Sequence, residues 1–124
     1  MMASKARLFG DDGVLNEIME APTPFEYKNM GRKIRGFVAE VWDANKYDIV
    51  VKGNKAKFSQ NPAKKEFLLS TGDSIIGEAS PYDTIWGIGL GREDALKGGV
   101  EQWKGENLLS CALMDMRDWL KECL

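Results

Sequence analysis

The chain has 124 residues, of which 44% are hydrophobic and 29% are charged, and its formal net charge is −2. This composition suits one folded domain and excludes a disordered chain. The small negative charge also argues against a dedicated nucleic-acid binder, which usually carries a basic surplus.

Histidine is absent from the sequence. This excludes histidine bases, Ser-His and Cys-His nucleophiles and most zinc sites, and we expect neither a metal nor a cofactor. Cys111 and Cys123 fall in one predicted helix, about 18 Å apart by helical rise, which is too far for a disulfide. Reduced thiols, no signal peptide and no membrane-length apolar run predict a cytoplasmic protein without a membrane association.

The first third of the chain predicts three helices. Two short helices are expected over residues 1–9 and 14–21. The third has the clearest signal, since Thr23 as N-cap, Pro24 at the first helical position and Glu26 three residues after the cap form a capping box. We expect that helix to run to about residue 34 and to end near Gly36.

The middle of the chain predicts two further helices. A stripe of residues at helical spacing favours a helix over residues 43–59, while residues 37–42 remain ambiguous. Asn61 can cap the next helix with Pro62 at its first position, and Gly72 ends that helix.

The last part of the chain predicts one short strand and one long helix. Side-chain alternation over residues 74–79 indicates the strand, and a turn with Pro81 follows it. One helical turn is expected over residues 93–97, and Asn107 is the predicted N-cap of a helix with a clear apolar seam. The predicted fold is therefore α+β, a mainly α-helical single domain over residues 1–124 with small β elements.

Two carboxylates, Glu78 and Asp83, flank the predicted proline turn. Such a pair could cleave a glycosidic bond, one acid protonating the leaving group while the other stabilises an oxocarbenium-like centre or activates water. The alternative is structural, with Asp83 as a turn residue and Glu78 as a strand-edge charge. Residue spacing leaves both interpretations open.

Trp86 is followed by Gly87, Gly89 and Gly91 at alternate positions. The indole could stack on a base or sugar while the glycines allow the backbone to approach a ligand closely, but the residue type alone favours a core tryptophan. The glycine series lacks the spacing of a dinucleotide-binding fingerprint, and no helix N-terminus is expected directly after it.

Four cations are candidates for holding a phosphate group, because lysine and arginine donate charge-assisted hydrogen bonds. For each of them the alternative is a solvated surface charge. They are Lys5, Arg32, Lys57 and Arg92.

Taken together, these residues and others resemble the YbiA-like, or NADAR, family over nearly the whole chain and in the family's order. The most specific part is the WGIGL run at 86–90 after a spaced Asp83. The other matching positions are Lys5-Ala6, Gly31-Arg32, Trp42, Lys57-Phe58, Gln60-Asn61, LLSTG at 68–72, Glu78-Ala79-Ser80, Trp103, Gly105, Asn107-Leu108-Leu109, Leu113-Met114 and Arg117.

The resemblance implies N-glycosidase chemistry. Similar proteins hydrolyse the bond between ribose 5-phosphate and an aminopyrimidine in early riboflavin-pathway intermediates, and others remove ADP-ribose from modified guanine. By this resemblance Asp83 and Glu78 are the catalytic acids. Trp86, Gly87 and Gly89 contact the substrate. Lys5 and Arg32 meet its phosphate.

The resemblance also implies a further N-terminal segment, with strands and a glutamate-containing motif, ahead of the helix that here begins at the first residues. We therefore expect part of the site wall to lie outside this sequence. The expected partner is a phosphorylated ribosyl compound or ADP-ribose, and a nucleic acid enters only as an ADP-ribosylated substrate. Two alternatives remain, a catalytically inactive ADP-ribose or nucleotide-binding module and a structural remnant, and the sequence does not indicate the oligomeric state.

Overall fold

A computed structural model describes residues Met1–Cys123, and all the regular secondary structure in that range is helical. Contacts divide the chain into two compact units, Met1–Ile49 and the residues from Val50 onward. The elements in chain order are α1 (Met2–Leu8), α2 (Asp12–Glu20), α3 (Pro24–Gly31), α4 (Ala39–Gln60), α5 (Pro62–Ser70), α6 (Arg92–Lys97), a 3-10 turn (Val100–Gln102) and α7 (Leu108–Glu122).

The predicted α+β class is wrong, since no residue from Met1 to Cys123 lies in a strand. The expected strand over residues 74–79 has no neighbouring strand with which to pair. Side chains bind its backbone instead: Arg117 Nη1 donates to the Ser74 carbonyl at 2.8 Å, and Asn107 Nδ2 donates to the Ile76 carbonyl at 2.9 Å. The alternating pattern was misleading because these side chains supply the hydrogen bonds that a sheet would otherwise have to provide.

The predicted N-cap of α3, Thr23, is confirmed, but the Glu26 carboxylate binds the Thr23 hydroxyl instead of the Thr23 N–H that would complete a capping box. Thr23 Oγ1 accepts a hydrogen bond from the Glu26 N–H at 3.3 Å and donates to Glu26 Oε2 at 2.9 Å. The helix ends at Gly31, earlier than expected. One reason is that the Arg35 N–H donates to Asp11 Oδ2 at 2.8 Å, which draws the following chain away from a helical path.

The helices of the middle region also follow their sequence signals. The chain from Ala39 to Gln60 is one continuous helix, so the ambiguous residues are helical from Ala39 onward. Asn61 and Pro62 begin α5 at the predicted positions, but the Asn61 side chain makes no capping bond and donates instead to the Lys57 carbonyl at 2.6 Å. Gly72, which follows the C-cap Thr71, adopts a φ of +62°. This left-handed conformation is the one that a glycine allows at a helix end.

In the first unit, α1, α2 and α3 pack around a small apolar core of Ala6, Val14, Ile18 and Ile34. Asp11 is the buried polar residue beside this core. Its Oδ1 accepts from the Val14 N–H at 3.1 Å and caps α2, and the same oxygen lies 3.2 Å from the Arg35 guanidinium. These bonds to Arg35 and to the backbone lower the pKa of Asp11 to about 2.

The second unit is built on the packing of α5 against α7. Its buried apolar residues are Phe58, Leu68, Met116 and Leu120. Both predicted free cysteines are unpaired. None of the helices described between Met1 and Cys123 is both long and apolar enough to cross a bilayer. The expectation that residues 1–124 form a single domain stays a prediction.

The low pKa of Asp11 makes part of the folding stability depend on pH. An Asp11→Asn variant keeps a capping oxygen but loses the charge. Since the folded pKa of about 2 lies below the ordinary 3.8, the stabilisation by the carboxylate is fully present above pH 3.8 and is lost as the pH falls through 2. We expect urea unfolding to show a less stable variant at pH 6 and a difference that shrinks towards pH 2. An equal difference at both pH values would contradict this assignment.

Candidate functional site

The segment before and at the start of α7 organises the loop that carries Asp83. Six consecutive N–H groups, from Lys104 to Leu109, donate to carbonyls of residues 84–88 at 2.8–3.2 Å. Two of them, the N–H groups of Leu108 and Leu109, are first-turn donors of α7 and bind the carbonyls of Ile85 and Trp86. The first turn of a helix leaves such donors without an intrahelical partner, and this loop supplies the acceptors. The loop therefore has a fixed path without any sheet.

Asp83 has a structural task within this loop. Its Oδ1 accepts hydrogen bonds from the N–H groups of Ile85 at 3.0 Å and Trp86 at 2.8 Å. The predicted turn role is therefore present. Oδ2 accepts no hydrogen bond from the residues that the structure describes, and the side chain is partly exposed. One carboxylate oxygen thus fixes the loop, and the other is available to a ligand.

Glu78 is held in the opposite way, through its backbone. Its N–H donates to Asn107 Oδ1 at 3.0 Å, and its carbonyl accepts from the Ile88 N–H at 2.9 Å. The residue is exposed, and its carboxylate makes no hydrogen bond within Met1–Cys123. The shared contact with Ile88 ties the Glu78 segment to the Asp83 loop, so both acids belong to one backbone framework.

Gly87 is required by close packing in that framework. A Cβ atom placed there would lie 2.8 Å from the Asp83 carbonyl oxygen and 3.1 Å from the Glu78 carbonyl oxygen. Gly89 has a φ of +70°, a conformation that side chains disfavour. Trp86, the remaining substrate-binding candidate of this loop, is half-buried, and its carbonyl is bonded to α7. The two glycines therefore shape the loop, and their contact with substrate stays a prediction.

The end of the glycine series differs from expectation, because α6 begins at Arg92 directly after Gly91. The helical turn predicted over residues 93–97 is confirmed and is slightly longer than expected. Gly91 is the N-cap and supplies no side-chain hydrogen bond. With six residues, α6 is too short to strengthen the case for a phosphate cradle.

The cations Lys5 and Arg32 lie in the first unit, Lys5 in α1 with its ammonium group at the C-terminal end of α3 and Arg32 at the C-cap of α3. Lys5 Nζ donates to the Gly31 carbonyl at 3.2 Å, and Arg32 is the exposed residue that follows. The Lys5 ammonium also lies 4.6 Å from the ring centre of Phe37 and 5.3 Å from that of Trp42. Burial lowers the pKa of Lys5. Their binding of phosphate stays a prediction.

The other two cations give no further support to a phosphate site. Lys57 is exposed and lies 5.6 Å from the ring centre of its neighbour Phe58, while Arg92 is exposed at the start of α6. No cluster of acidic or cysteine side chains in the described part of the chain has a metal-site arrangement.

The role of Asn107 was not evident from its sequence position. It is the N-cap of α7, as predicted, but its side chain makes no capping bond to that helix. It binds the backbone on both sides of Gly77 instead, and its own φ is +56°. The available signal was the residue type, since asparagine adopts the left-handed conformation more readily than most side chains.

The second unit contains only helices as regular structure in its described residues, and it joins Glu78 and Asp83 in one hydrogen-bonded framework beside α7. Comparison with known proteins identifies the family. The NADAR domain model matches residues 1–121. The chain belongs to the NADAR domain family.

Several relatives in this family have names that describe an activity. The chain is 48% identical over 118 residues to N-glycosidase R617 of Acanthamoeba polyphaga mimivirus, an alignment that covers 95% of this chain and 69% of the relative. It is 28% identical over 116 residues to N-glycosidase YbiA of Escherichia coli, covering 94% of this chain and 66% of YbiA. It is 34% identical over 108 residues to the chloroplastic riboflavin biosynthesis protein PYRR of Zea mays, covering 84% of this chain and 16% of that protein.

The packing around Gly87 can be tested by a Gly87→Ala substitution. Because the new methyl group would overlap the Asp83 carbonyl, we expect the free energy of unfolding to fall by about 1–3 kcal/mol. Gly53→Ala is the matched control, since a Cβ there meets nothing within 4 Å inside α4. The control should gain about 0.5–1 kcal/mol in denaturant unfolding, as alanine favours a helix interior. A Gly87→Ala variant as stable as the wild-type protein would disprove the close packing.

Proposed function

We propose that this chain is an N-glycosidase that hydrolyses the bond between C1 of a phosphorylated ribose and the nitrogen of an amine or base. The observation that carries the proposal is the Asp83 loop, where one carboxylate oxygen fixes the backbone and the other accepts no hydrogen bond. Membership of a family that includes proteins named N-glycosidases supports the same chemistry.

The reaction needs two functions that a pair of carboxyl groups can supply. As the C1–N bond breaks, positive charge develops on C1 and the ring oxygen, and a carboxylate nearby stabilises it. The oxygen of a water molecule then bonds to C1. One proton of that water passes to a carboxylate, and the departing nitrogen receives a proton from a carboxylic acid. The products are the free base and ribose phosphate, and neither an oxidant nor a metal is needed for the balance.

The anchoring of the two acids favours a division of these roles. The Asp83 carboxylate is itself bound by two N–H groups, so its position is set before substrate arrives, as electrostatic stabilisation of C1 requires. Glu78 has a bound backbone and an unbound side chain, which leaves its carboxyl group able to move with a proton. We assign charge stabilisation to Asp83 and proton transfer to Glu78.

The proposed substrate class is a ribosyl-amine phosphate such as a riboflavin-pathway intermediate, or an ADP-ribose compound. The first choice is supported by the name of the PYRR relative, which places that protein in riboflavin biosynthesis. Trp86 would stack on the base. We place the reaction in the cytoplasm, where the two free thiols would remain reduced.

Two substitutions separate the charge of Asp83 from its structural task. Asp83→Asn keeps an oxygen that can accept from the N–H groups of Ile85 and Trp86 but removes the negative charge. Asp83→Ala removes both. We expect Asp83→Asn to abolish release of free base with wild-type unfolding stability, and Asp83→Ala to abolish it with a stability loss of about 1–2 kcal/mol.

The assay should measure free base and ribose phosphate from a ribosyl-amine phosphate, with calorimetric binding of ADP-ribose and ribose 5-phosphate alongside. Full activity of Asp83→Asn would show that Asp83 is only a turn residue. Binding by the wild-type protein without any release of base would show that the chain is a nucleotide-binding module and not an enzyme. If the protein neither binds these compounds nor releases base, its role is structural.

The proposed phosphate contact can be tested with Arg32→Gln, because Arg32 is exposed and its loss should not unfold the protein. Losing one charge-assisted contact should raise KM for the phosphorylated substrate at least 10-fold. The dephosphorylated analogue should show no change. Arg7→Gln, another exposed arginine of the first unit, is the control and should match the wild-type protein with both compounds. An unchanged KM in Arg32→Gln would remove Arg32 from the site.

A further inference from the structure

We infer that Asn107 is a positioning residue for Glu78 in the N-glycosidase reaction. The inference rests on the proposed function and adds to it a residue that is 29 positions away from the acid in sequence. Asn107 would touch neither substrate nor water in the reaction. Its effect would pass through the backbone of the segment that carries Glu78.

The geometry of the contact is that of a clamp. Asn107 Oδ1 accepts from the Glu78 N–H at 3.0 Å, and Nδ2 donates to the Ile76 carbonyl at 2.9 Å. Asn107 is 6% exposed, so its amide group is largely shielded from water, although Glu78 itself is exposed. An acceptor and a donor on one planar group fix the Ile76–Glu78 segment at two points, and Gly77 lies between them.

The side chain is available for this contact because other groups replace it as a helix cap. An asparagine at an N-cap usually accepts from an N–H of the first helical turn. Here the N–H groups of Leu108 and Leu109 donate to the carbonyls of Ile85 and Trp86, so the Asn107 amide has no capping task. The same position thus joins the Asp83 loop through the helix N–H groups and the Glu78 segment through its amide.

The residue type follows from these demands. The backbone at position 107 has a φ of +56°, which glycine adopts freely and asparagine tolerates. Glycine, however, has no side chain to hold the segment. Aspartate has acceptors only and cannot donate to the Ile76 carbonyl, while serine is shorter and has a single polar atom. Asparagine meets both the backbone and the hydrogen-bond requirements.

Trp103 restricts the same segment from another direction. A Cβ atom at Gly77 would lie 2.6 Å from the Trp103 ring, so the ring packs directly on the backbone between the two clamped groups. With the ring against Gly77 and the amide holding Ile76 and Glu78, the segment has little freedom to shift. A shift of about 1 Å in a catalytic group can cost on the order of 100-fold in rate.

The test is an Asn107→Gly variant, which retains the favourable backbone conformation and removes only the clamp. We expect kcat for release of free base to fall 10- to 100-fold, while KM changes less than twofold. Asn107→Asp keeps the acceptor for the Glu78 N–H but turns the Nδ2 donor into an acceptor facing the Ile76 carbonyl, and it should also lose kcat. Gly53→Ala, remote from the clamp in sequence and open to solvent, is the control and should keep the wild-type kcat.

A double-mutant cycle shows whether Asn107 acts through Glu78. In a Glu78→Gln background the remaining slow rate should be unchanged by Asn107→Gly, because the group to be positioned is already lost. In the background that keeps Glu78, the same Asn107→Gly substitution should lower kcat by the 10- to 100-fold expected above. An equal reduction in the Glu78→Gln background, or a wild-type kcat for Asn107→Gly alone, would overturn the inference.

Hydrogen exchange at the Glu78 amide supplies a measurement that does not depend on activity. We expect strong protection in the wild-type protein and its loss in Asn107→Gly, with the core amides of α7 still protected. Unchanged protection at Glu78 would overturn the inference. If the wild-type protein releases no base but Asn107→Gly still loses protection at the Glu78 amide, the proposed function is overturned and the clamp is supported.

Discussion

The hydrogen bonds between the N–H groups of Lys104 to Leu109 and the carbonyls of residues 84–88 are the constraint on which the second unit's loops depend. A buried backbone polar group without a partner is costly, and this unit has no strand in its described residues to provide partners. The N–H groups at the start of α7 and the carbonyls of the Asp83 loop therefore supply each other's hydrogen-bond partners. The close approach explains why glycine occupies position 105, where a Cβ atom would enter the space of the Gly87 carbonyl.

Local signals in the sequence predicted the helices well. The boundary at Thr23 and Pro24, and that at Asn61 and Pro62, depend on residues within one helical turn, and the structure confirms both. The end of α3 was less predictable, because Asp11 binds the backbone of Arg35 from 24 positions away. A helix start depends on its nearest residues, whereas a helix end can be set by a residue that no local pattern reveals.

The wrongly predicted strand over residues 74–79 has the same cause, namely binding of the backbone by residues that are distant in sequence. Alternation over residues 74–79 indicates an extended backbone, but a strand also needs a partner strand, and the residues from Met1 to Cys123 contain none. Asn107 and Arg117 bind this segment from 31 and 43 positions away, and neither interaction leaves a local trace. For the candidate site, the sequence indicated Asp83 and Glu78 as a pair of acids. It could not indicate that one is fixed through its side chain and the other through its backbone.

Because Asp83 is anchored through only one of its carboxylate oxygens, its structural and its catalytic interpretation are compatible. A turn residue and a catalytic carboxylate seemed to be alternatives while only spacing was considered. A carboxylate has two oxygens, and here one suffices for the turn. Using Oδ1 to hold the N–H groups of Ile85 and Trp86 fixes the direction of Oδ2, because both oxygens belong to one rigid plane. The turn is then the means by which a partly exposed loop could present a charge at a fixed position, which electrostatic stabilisation of a transition state requires.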